Sequence, residues 1–508
     1  MIRSTTKRLG LEALAQRVVE LRGRGATVVM CHGVFDLVHV GHIRHFEQAR
    51  RHGDVLIVTV TPDRFVNKGS HRPAFTEALR AEAVAALGAV DYVAINRWPT
   101  AAETIRLLQP HVYCKGDEYR DVSGDARVAL LAEIQAVEEI GGRIEYTHDL
   151  TFSSSRLINS YLPVFSTETD EWLRTFRERH SIEEVLGYLQ RARELDILVV
   201  GEAILDEYVF CDGLGKSSKD PILAFRYHSA ETHAGGSVAV ANHLAGFCRQ
   251  VRLVTQLGET ERREDFIRLA LLPNVRPHFV TRRGAPTIHK RRFVDNHTGA
   301  RMFELYVMHD EPLEPADERE LVEALDGISD YDLVVVADYG HGLMTPAAVT
   351  SVCSAARFMA VNTQANAGNR GFNTISKYPR ADYVCLAGYE VALETRMRHA
   401  SWRELVMEVA KRIDAPRFTV TLGKSGSLHW APDAGFTEVP ALATRVMDRV
   451  GAGDAVLAVT SLMAVQGVPW DIVGLVGNVA GAQMVADLGN RVTINQASIA
   501  QHLISLMK

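Results

Sequence analysis

The sequence predicts an α/β protein of two successive domains, the second larger and carrying a small β lid. Three observations predict it. At 508 residues the chain is too long for one compact core. Apolar β-branched runs alternate with helix-period segments through its first third, and after a charged break a second series of strands begins at Ile197.

In the first domain, strands are expected at Thr27 to Cys31, Val55 to Val60, Tyr92 to Ile95, Val112 to Cys114 and Ile144 to Thr147, each a short branched-apolar run. Between them Gly41 to Arg51, Thr76 to Leu87, Ala102 to Leu108 and Val128 to Ile140 read as helices. Strand alternating with helix favours parallel pairing, so residues 1–160 are expected to form a doubly wound domain. Residues 161–194 turn charged and helical, with Glu and Arg at i,i+4 spacing on an exposed face, and read as a helical linker. The larger domain, 195–508, opens with strands at Ile197 to Gly201, Val251 to Thr255, Leu333 to Ala337, Phe358 to Asn362, Tyr383 to Leu386 and Phe418 to Leu422. Ile222 to Tyr227 and Ile288 to Asp295 look antiparallel and suit a lid across one sheet edge.

Composition narrows the function. A net charge of -6 shows no basic excess of the kind a nucleic-acid binder carries, so small anionic substrates fit better. Six scattered cysteines without a C-x-x-C pair indicate neither a zinc site nor a disulfide framework. The first twenty residues lack the apolar core of a signal peptide. The most apolar late stretch, Val473 to Leu488, is broken by Asn478, Gln483 and Asp487, so no membrane span is expected and the protein is expected in the cytoplasm.

Chemistry enters first where the strand ending at Cys31 meets the helix opening near Gly41. In open α/β sheets ligands lie beyond the carboxyl ends of the strands, and a helix N-terminus there offers free N–H groups to an anion. His39 and His42 at such a turn can both face a phosphate, and Gly41 between them lets the backbone come close. Imidazoles there can donate hydrogen bonds as negative charge builds on phosphorus.

The full run from Gly33 to His42 resembles the signature of cytidylyltransferase-like nucleotidyltransferases, as do Lys115-Gly116-Asp117-Glu118-Tyr119 and Ser153-Ser154-Ser155-Arg156 further along. The resemblance implies a Rossmann-like domain in which Gly33, Phe35, Asp36, Gly41, Gly116, Ser153, Ser154 and Ser155 bind nucleotide, with His39, His42 and Lys115 as catalytic residues. The implied reaction is in-line attack of a phosphate oxygen on the α-phosphorus of a nucleoside triphosphate with Mg2+, releasing pyrophosphate. Arg72 and Arg80 either steady a substrate or sit on a solvated helix face.

The second constellation is Gly451-Ala452-Gly453-Asp454, followed by an apolar helix from Ala455 to Val465. Small residues at a helix start leave amides for a transferring γ-phosphate, and the aspartate is placed to take a proton from a hydroxyl. Together with Thr421-Leu422-Gly423-Lys424-Ser425-Gly426 and Leu205-Asp206-Glu207-Tyr208, it resembles the ribokinase-like (PfkB) sugar kinases. That resemblance implies Asp454 as base and Thr421, Gly423, Gly426, Gly451, Ala452, Gly453 and Asn478 at the nucleotide. It also implies Asp206, Gly235, Gly236, Asn242, Lys290 and Arg291 at the sugar, and Glu390 reaching Mg2+ through water.

Three departures stand out: Val450 where that family usually carries a threonine or serine, Ala387 where it carries an asparagine three residues before Glu390, and Asn362-Thr363-Gln364 where heptose kinases carry an acidic residue and a lysine. A sugar kinase joined to such a transferase resembles the bifunctional enzymes of nucleotide-heptose synthesis, here with the transferase first. The expectation is a transferase that phosphorylates a sugar phosphate with ATP, then joins the sugar 1-phosphate to a nucleotide from ATP or CTP, acting as a homodimer. The alternative keeps the transferase active and the kinase-like half as a regulatory or dimerising ligand-binding module.

Overall fold

The computed structural model describes residues 7–66, 73–117, 125–147 and 165–507. It divides into two compact units, Met1–Val164 with Lys508, and Phe165–Met507.

The first unit has five strands, β1 (Val28–Gly33), β2 (Val55–Val60), β3 (Tyr92–Ile95), β4 (Val112–Gly116) and β5 (Arg143–Thr147). They pair in parallel in the order β3-β2-β1-β4-β5. Both faces are covered, which is why β1 and β2 read as unbroken apolar runs rather than alternating ones. Val28 and Met30 face one core with Leu14 and Ile105; Val29 and Cys31 face the other with Phe46 and Val84. The order reverses between β1 and β4, and a crevice at their carboxyl ends is where such sheets bind ligands. Gly33 and Gly116 end those two strands.

The second unit continues with β6 (Asp196–Gly201), β7 (Ala203–Lys216), β8 (Leu223–Gly236), β9 (Gln250–Thr260), β10 (Val275–Pro286), β11 (His289–Asp295), β12 (Arg301–Val307), β13 (Leu333–Asp338), β14 (Met359–Thr363), β15 (Tyr383–Ala387), β16 (Phe418–Thr421), β17 (Ser427–Ala431) and β18 (Gly435–Val439). Nine form one sheet, β10-β9-β6-β13-β14-β15-β16-β17-β18, parallel through β16 and antiparallel for the last two. The other four form the lid, β12-β11-β7-β8. Within it β7 with β8 and β11 with β12 pair antiparallel, as expected, but β11 runs parallel to its other neighbour, β7. The chain reaches β11 only after crossing the main sheet through β9 and β10, and so long a crossover can return in the same direction.

The charged helices Thr167–Arg179 and Ile182–Arg191 bury Leu173, Phe176, Val185 and Leu189 in the second unit's core and leave their ion-pairing faces to solvent. Ser166 and Ser181 cap them, accepting from Thr169 and Glu184 backbone N–H groups at 3.3 and 3.1 Å. Helices Ala452–Val465 and Trp470–Val485 are buried almost all round, which is why both are apolar on every face. Among the described residues no helix is long and apolar enough to cross a membrane, and all six cysteines are free thiols.

Candidate active sites

In the first unit a tight loop joins β1 to the helix Val40–Arg50. Phe35 and Leu37 hold positive φ angles of 48° and 55°, a strained conformation for residues with side chains. Two buried groups hold them there. The Asp36 carboxylate accepts from the backbone N–H groups of Ala74 and Phe75 at 2.9 and 3.2 Å, so it fixes a neighbouring loop. Arg80, fully buried, donates to the carbonyls of Val34, Phe75 and Thr61 and to Asp63. Neither sequence expectation for Arg80 survives, because a side chain with 1 % exposure and four protein acceptors neither faces solvent nor reaches a substrate. Arg72 and Ser153 to Arg156 lie outside the described residues.

The loop delivers His39 and His42 side by side, ring centroids 4.0 Å apart. His39 Nδ1 accepts from Gly41 N–H at 3.1 Å and His42 Nδ1 accepts from His39 N–H at 3.4 Å. Each neutral ring therefore carries its proton on Nε2, the state in which it can donate to a phosphate oxygen. Burial presses the His39 pKa below the usual histidine range, which favours that neutral state.

Lys115, near the end of β4, is buried and paired with Glu133 at 2.9 Å. Glu133 also accepts from Tyr113 Oη at 2.9 Å and Ala101 N–H at 3.1 Å. Burial pushes the Glu133 carboxyl up, but Lys115, His32 and these hydrogen bonds together bring it below the ordinary range. His45, one helical turn beyond His42, donates to or accepts from Thr147 Oγ1 at 2.6 Å, and burial with the Lys115 charge lowers it to about 4. Glu133 and His45 were not found in the sequence, where no spacing ties either to Lys115.

In the second unit the strand ends of the main sheet meet the lid. Asp454 sits in the first turn of Ala452–Val465, with a φ of 80° at Gly451 just before it. Burial raises its carboxyl to about 7, and Tyr339 Oη donates to it at 2.7 Å. The charges of Asp206 and Lys290 also reach it. Asp206, on β7, accepts from Arg292 at 2.5 Å and from Asn490 Nδ2 at 3.4 Å. A Cβ at Gly235 would lie 2.0 Å from Asp206 Oδ2, and one at Gly451 would lie 2.1 Å from Asn490 Oδ1. A side chain at either place would displace these polar groups, at Gly451 the positive φ favours glycine as well, and Asn490 sits between the two.

Period-two alternation sorts the cations of β11. Lys290 lies in register with Asp206 and Tyr306, and Arg292 bonds Asp206 from the same face. Arg291 lies on the opposite face, on Glu207 at 2.7 Å with His289 beside it. Arg292 and Asn490, missed in the sequence, thus touch Asp206 while Arg291 does not.

The remaining expected residues are mostly committed to backbone. Asn242 joins the Ala270 carbonyl and Leu272 N–H at 2.8 and 2.9 Å, and Asn478 donates to the Val439 and Pro440 carbonyls. Gly236 ends β8, and Thr421, Gly423 and Gly426 form the end of β16 and its turn into β17. Glu390 accepts from Ala387 and Ala365 N–H groups and from Tyr389 Oη at 2.8, 3.1 and 3.1 Å, and burial raises it to about 7. With three of about four lone-pair sites used, it fits a metal reached through water and not a direct ligand. No cluster of three or more His, Cys, Asp or Glu able to hold a metal occurs among the described residues.

The family model described as cytidylyltransferase-like matches residues 30–160, and that of the pfkB family carbohydrate kinases matches residues 194–497. Over 144 residues the chain is 40% identical to the bifunctional protein HldE of Geotalea uraniireducens, covering 28% of each chain. Over 298 residues it is 28% identical to the bifunctional protein HldE of Rhodopseudomonas palustris, covering 58% of this chain and 60% of that one. Each match therefore spans less than two thirds of the relative's length. The phosphofructokinase-2 of Escherichia coli in complex with potassium is similar in fold, with a TM-score of 0.50 at 16% identity over 62% of this chain and 100% of that one.

Proposed function

Because the chain belongs to the pfkB family of carbohydrate kinases and carries a cytidylyltransferase-like domain ahead of its kinase domain, we propose that this transferase makes a nucleotide-activated sugar in two steps. In the first, ATP phosphorylates a sugar phosphate, a heptose phosphate by analogy with the HldE relatives, at the anomeric hydroxyl. In the second, ATP or CTP transfers its nucleotidyl group to the resulting sugar 1-phosphate and pyrophosphate leaves.

The observation that carries the reading is Asp454, a buried carboxylate raised to about 7 at a helix N-terminus. A base of that pKa is half ionised near neutral pH, which suits it to take the hydroxyl proton as the γ-phosphoryl group moves. Amides of the Gly451-Ala452-Gly453 turn meet the charge developing on that group. Asp206, steadied by Arg292 and Asn490, holds sugar hydroxyls, and Lys290 adds positive charge. In the other site His39 and His42 donate from Nε2 to the α-phosphate while Lys115 sets a fixed charge beside them, with no proton changing hands. Mg2+ bound with the triphosphate would supply charge neutralisation, and in the kinase site Glu390 would hold it through water.

A second reading keeps the kinase-like half as a ligand-binding module, and the carboxylate of Glu390, spent on three local hydrogen bonds beside Ala387, favours it. A phosphorus NMR time course with Mg2+, ATP, CTP and heptose and hexose phosphates separates the two. Loss of pyrophosphate only in His42→Ala and of ADP only in Asp454→Asn supports two active sites. Pyrophosphate from a supplied sugar 1-phosphate with no ADP from any sugar phosphate supports the module. A homodimer in the cytoplasm completes the proposal, and sedimentation velocity tests the dimer.

A further inference from the structure

The loop after β13 is held from several sides, and the side chain it aims is Tyr339. Glu202, fully buried, accepts from the backbone N–H groups of Tyr339 and His341 at 3.0 and 2.9 Å. Asp338, itself pinned by Tyr378 Oη at 2.6 Å and Lys377 Nζ at 2.5 Å, accepts from Gly340 N–H at 3.0 Å. The Tyr339 carbonyl accepts from the side chains of Asn366 and Asn369 at 2.7 and 3.1 Å. Gly340 makes the turn at a φ of 71°, and a Cβ there would lie 2.5 Å from Asn369 Nδ2.

Burial and the Asp338 charge push the Glu202 carboxyl up, so setting these two acids near one another is costly. What the arrangement secures is the Tyr339 ring. It is packed in the core of the second unit and only 2 % exposed, and its Oη donates to Asp454 Oδ1 at 2.7 Å. Burial and the Asp454 charge push the phenol well above its ordinary range, so it remains a donor at working pH. Asp454 Oδ2 makes no hydrogen bond among the described residues.

We propose that Tyr339 is a positioning residue of the kinase site, its phenol holding Oδ1 of Asp454 so that Oδ2 is left for the sugar hydroxyl and the carboxylate is favoured over the acid. The inference deepens the kinase reading and rests on Asp454 as its base. A donor to a carboxylate stabilises the ionised form, so Tyr339 works against the burial that raises Asp454. The charges that also bear on this group are Asp206 from β7 and Glu390 from the helix Gly388–Thr395, which raise it, and Lys290 from β11, which lowers it. None of these is hydrogen-bonded to Asp454, so the phenol is what fixes its orientation.

The test is the pH profile of ADP formation by the full chain from Mg2+, ATP and heptose 7-phosphate, with mannose 6-phosphate in parallel, for wild type, Tyr339→Phe and Asp454→Asn. Phenylalanine keeps the packed ring and removes only the donor. Tyr339→Phe is expected to move the acid limb up by about one pH unit. ADP formation then slows about fivefold at pH 7 and returns toward the wild-type rate at higher pH, with KM for ATP unchanged. A limb that is absent from wild type or stays in place in Tyr339→Phe, or a loss of equal size at every pH, would overturn the inference and leave the kinase reading standing. No ADP from either sugar phosphate with wild type, or a wild-type rate in Asp454→Asn, would overturn both. If Tyr339→Phe loses its folded signal, 3-fluorotyrosine in place of Tyr339, a more acidic phenol and a stronger donor, carries the comparison. A limb moved to lower pH then supports the inference and an unmoved limb opposes it.

Discussion

In the first unit the groups at the strand ends are committed before any ligand arrives. Lys115 is held in an ion pair with Glu133, and backbone N–H groups set the tautomers of His39 and His42. In the second unit the central group is poised between two states, since burial brings Asp454 to about 7. One place holds a fixed ion pair and the other a carboxyl able to change its protonation near neutral pH. The difference matches the chemistry proposed for each, because a phosphate nucleophile has no proton to give up near neutral pH and a sugar hydroxyl does.

Replacing the poised group should break this contrast most. Asp454→Asn is expected to lower sugar-dependent ADP formation by about 10²–10⁴-fold and leave pyrophosphate release untouched; ADP formation at wild-type rates would remove Asp454 from the proton's path. Next comes the fixed charge. Glu133→Gln strands a buried lysine, and its first unit should lose about 3–5 kcal/mol, read as an earlier unfolding transition in chemical denaturation. A transition that stays in place would mean that Lys115 does not depend on Glu133. His42→Ala should slow pyrophosphate release by about 10²–10³-fold with ADP formation intact.

The smallest effect sharpens the comparison through pH. Asp454 works as a base only when ionised, so ADP formation should climb about tenfold per pH unit on the acid side and level off above about 7. His39, its pKa lowered by burial, is biased toward its neutral form, so pyrophosphate release should depend on pH less steeply than ADP formation does. Parallel profiles for the two products would erase the distinction.

The contrast also shows what the sequence could and could not reveal. Strands such as Val55–Val60 and Leu333–Asp338 were legible because sheets covered on both faces demand unbroken apolar runs. The lid was legible in part: Ile222 to Tyr227 and Ile288 to Asp295 mark the start of β8 and the whole of β11, but the remainder of Leu223–Gly236, half exposed and polar, looks like loop. The glycine-flanked groups, His39, His42 and Asp454, announced themselves because anion sites need small residues at helix starts. Arg292 and Asn490 did not, because each meets Asp206 only after the chain has folded, from 86 and 284 residues away. The strand's register decides which face of β11 each cation takes, and that register is not legible in the sequence.

Asn490 stands between Gly235 beside Asp206 and Gly451 beside the helix turn, with no room for a methyl group at either glycine. If Asp206 and the Gly451 turn act as proposed, recognition and transfer share one amide, and a shift at one disturbs the other. A lineage changing its sugar would find that corner closed to gradual substitution. Laboratory redesign meets the same coupling.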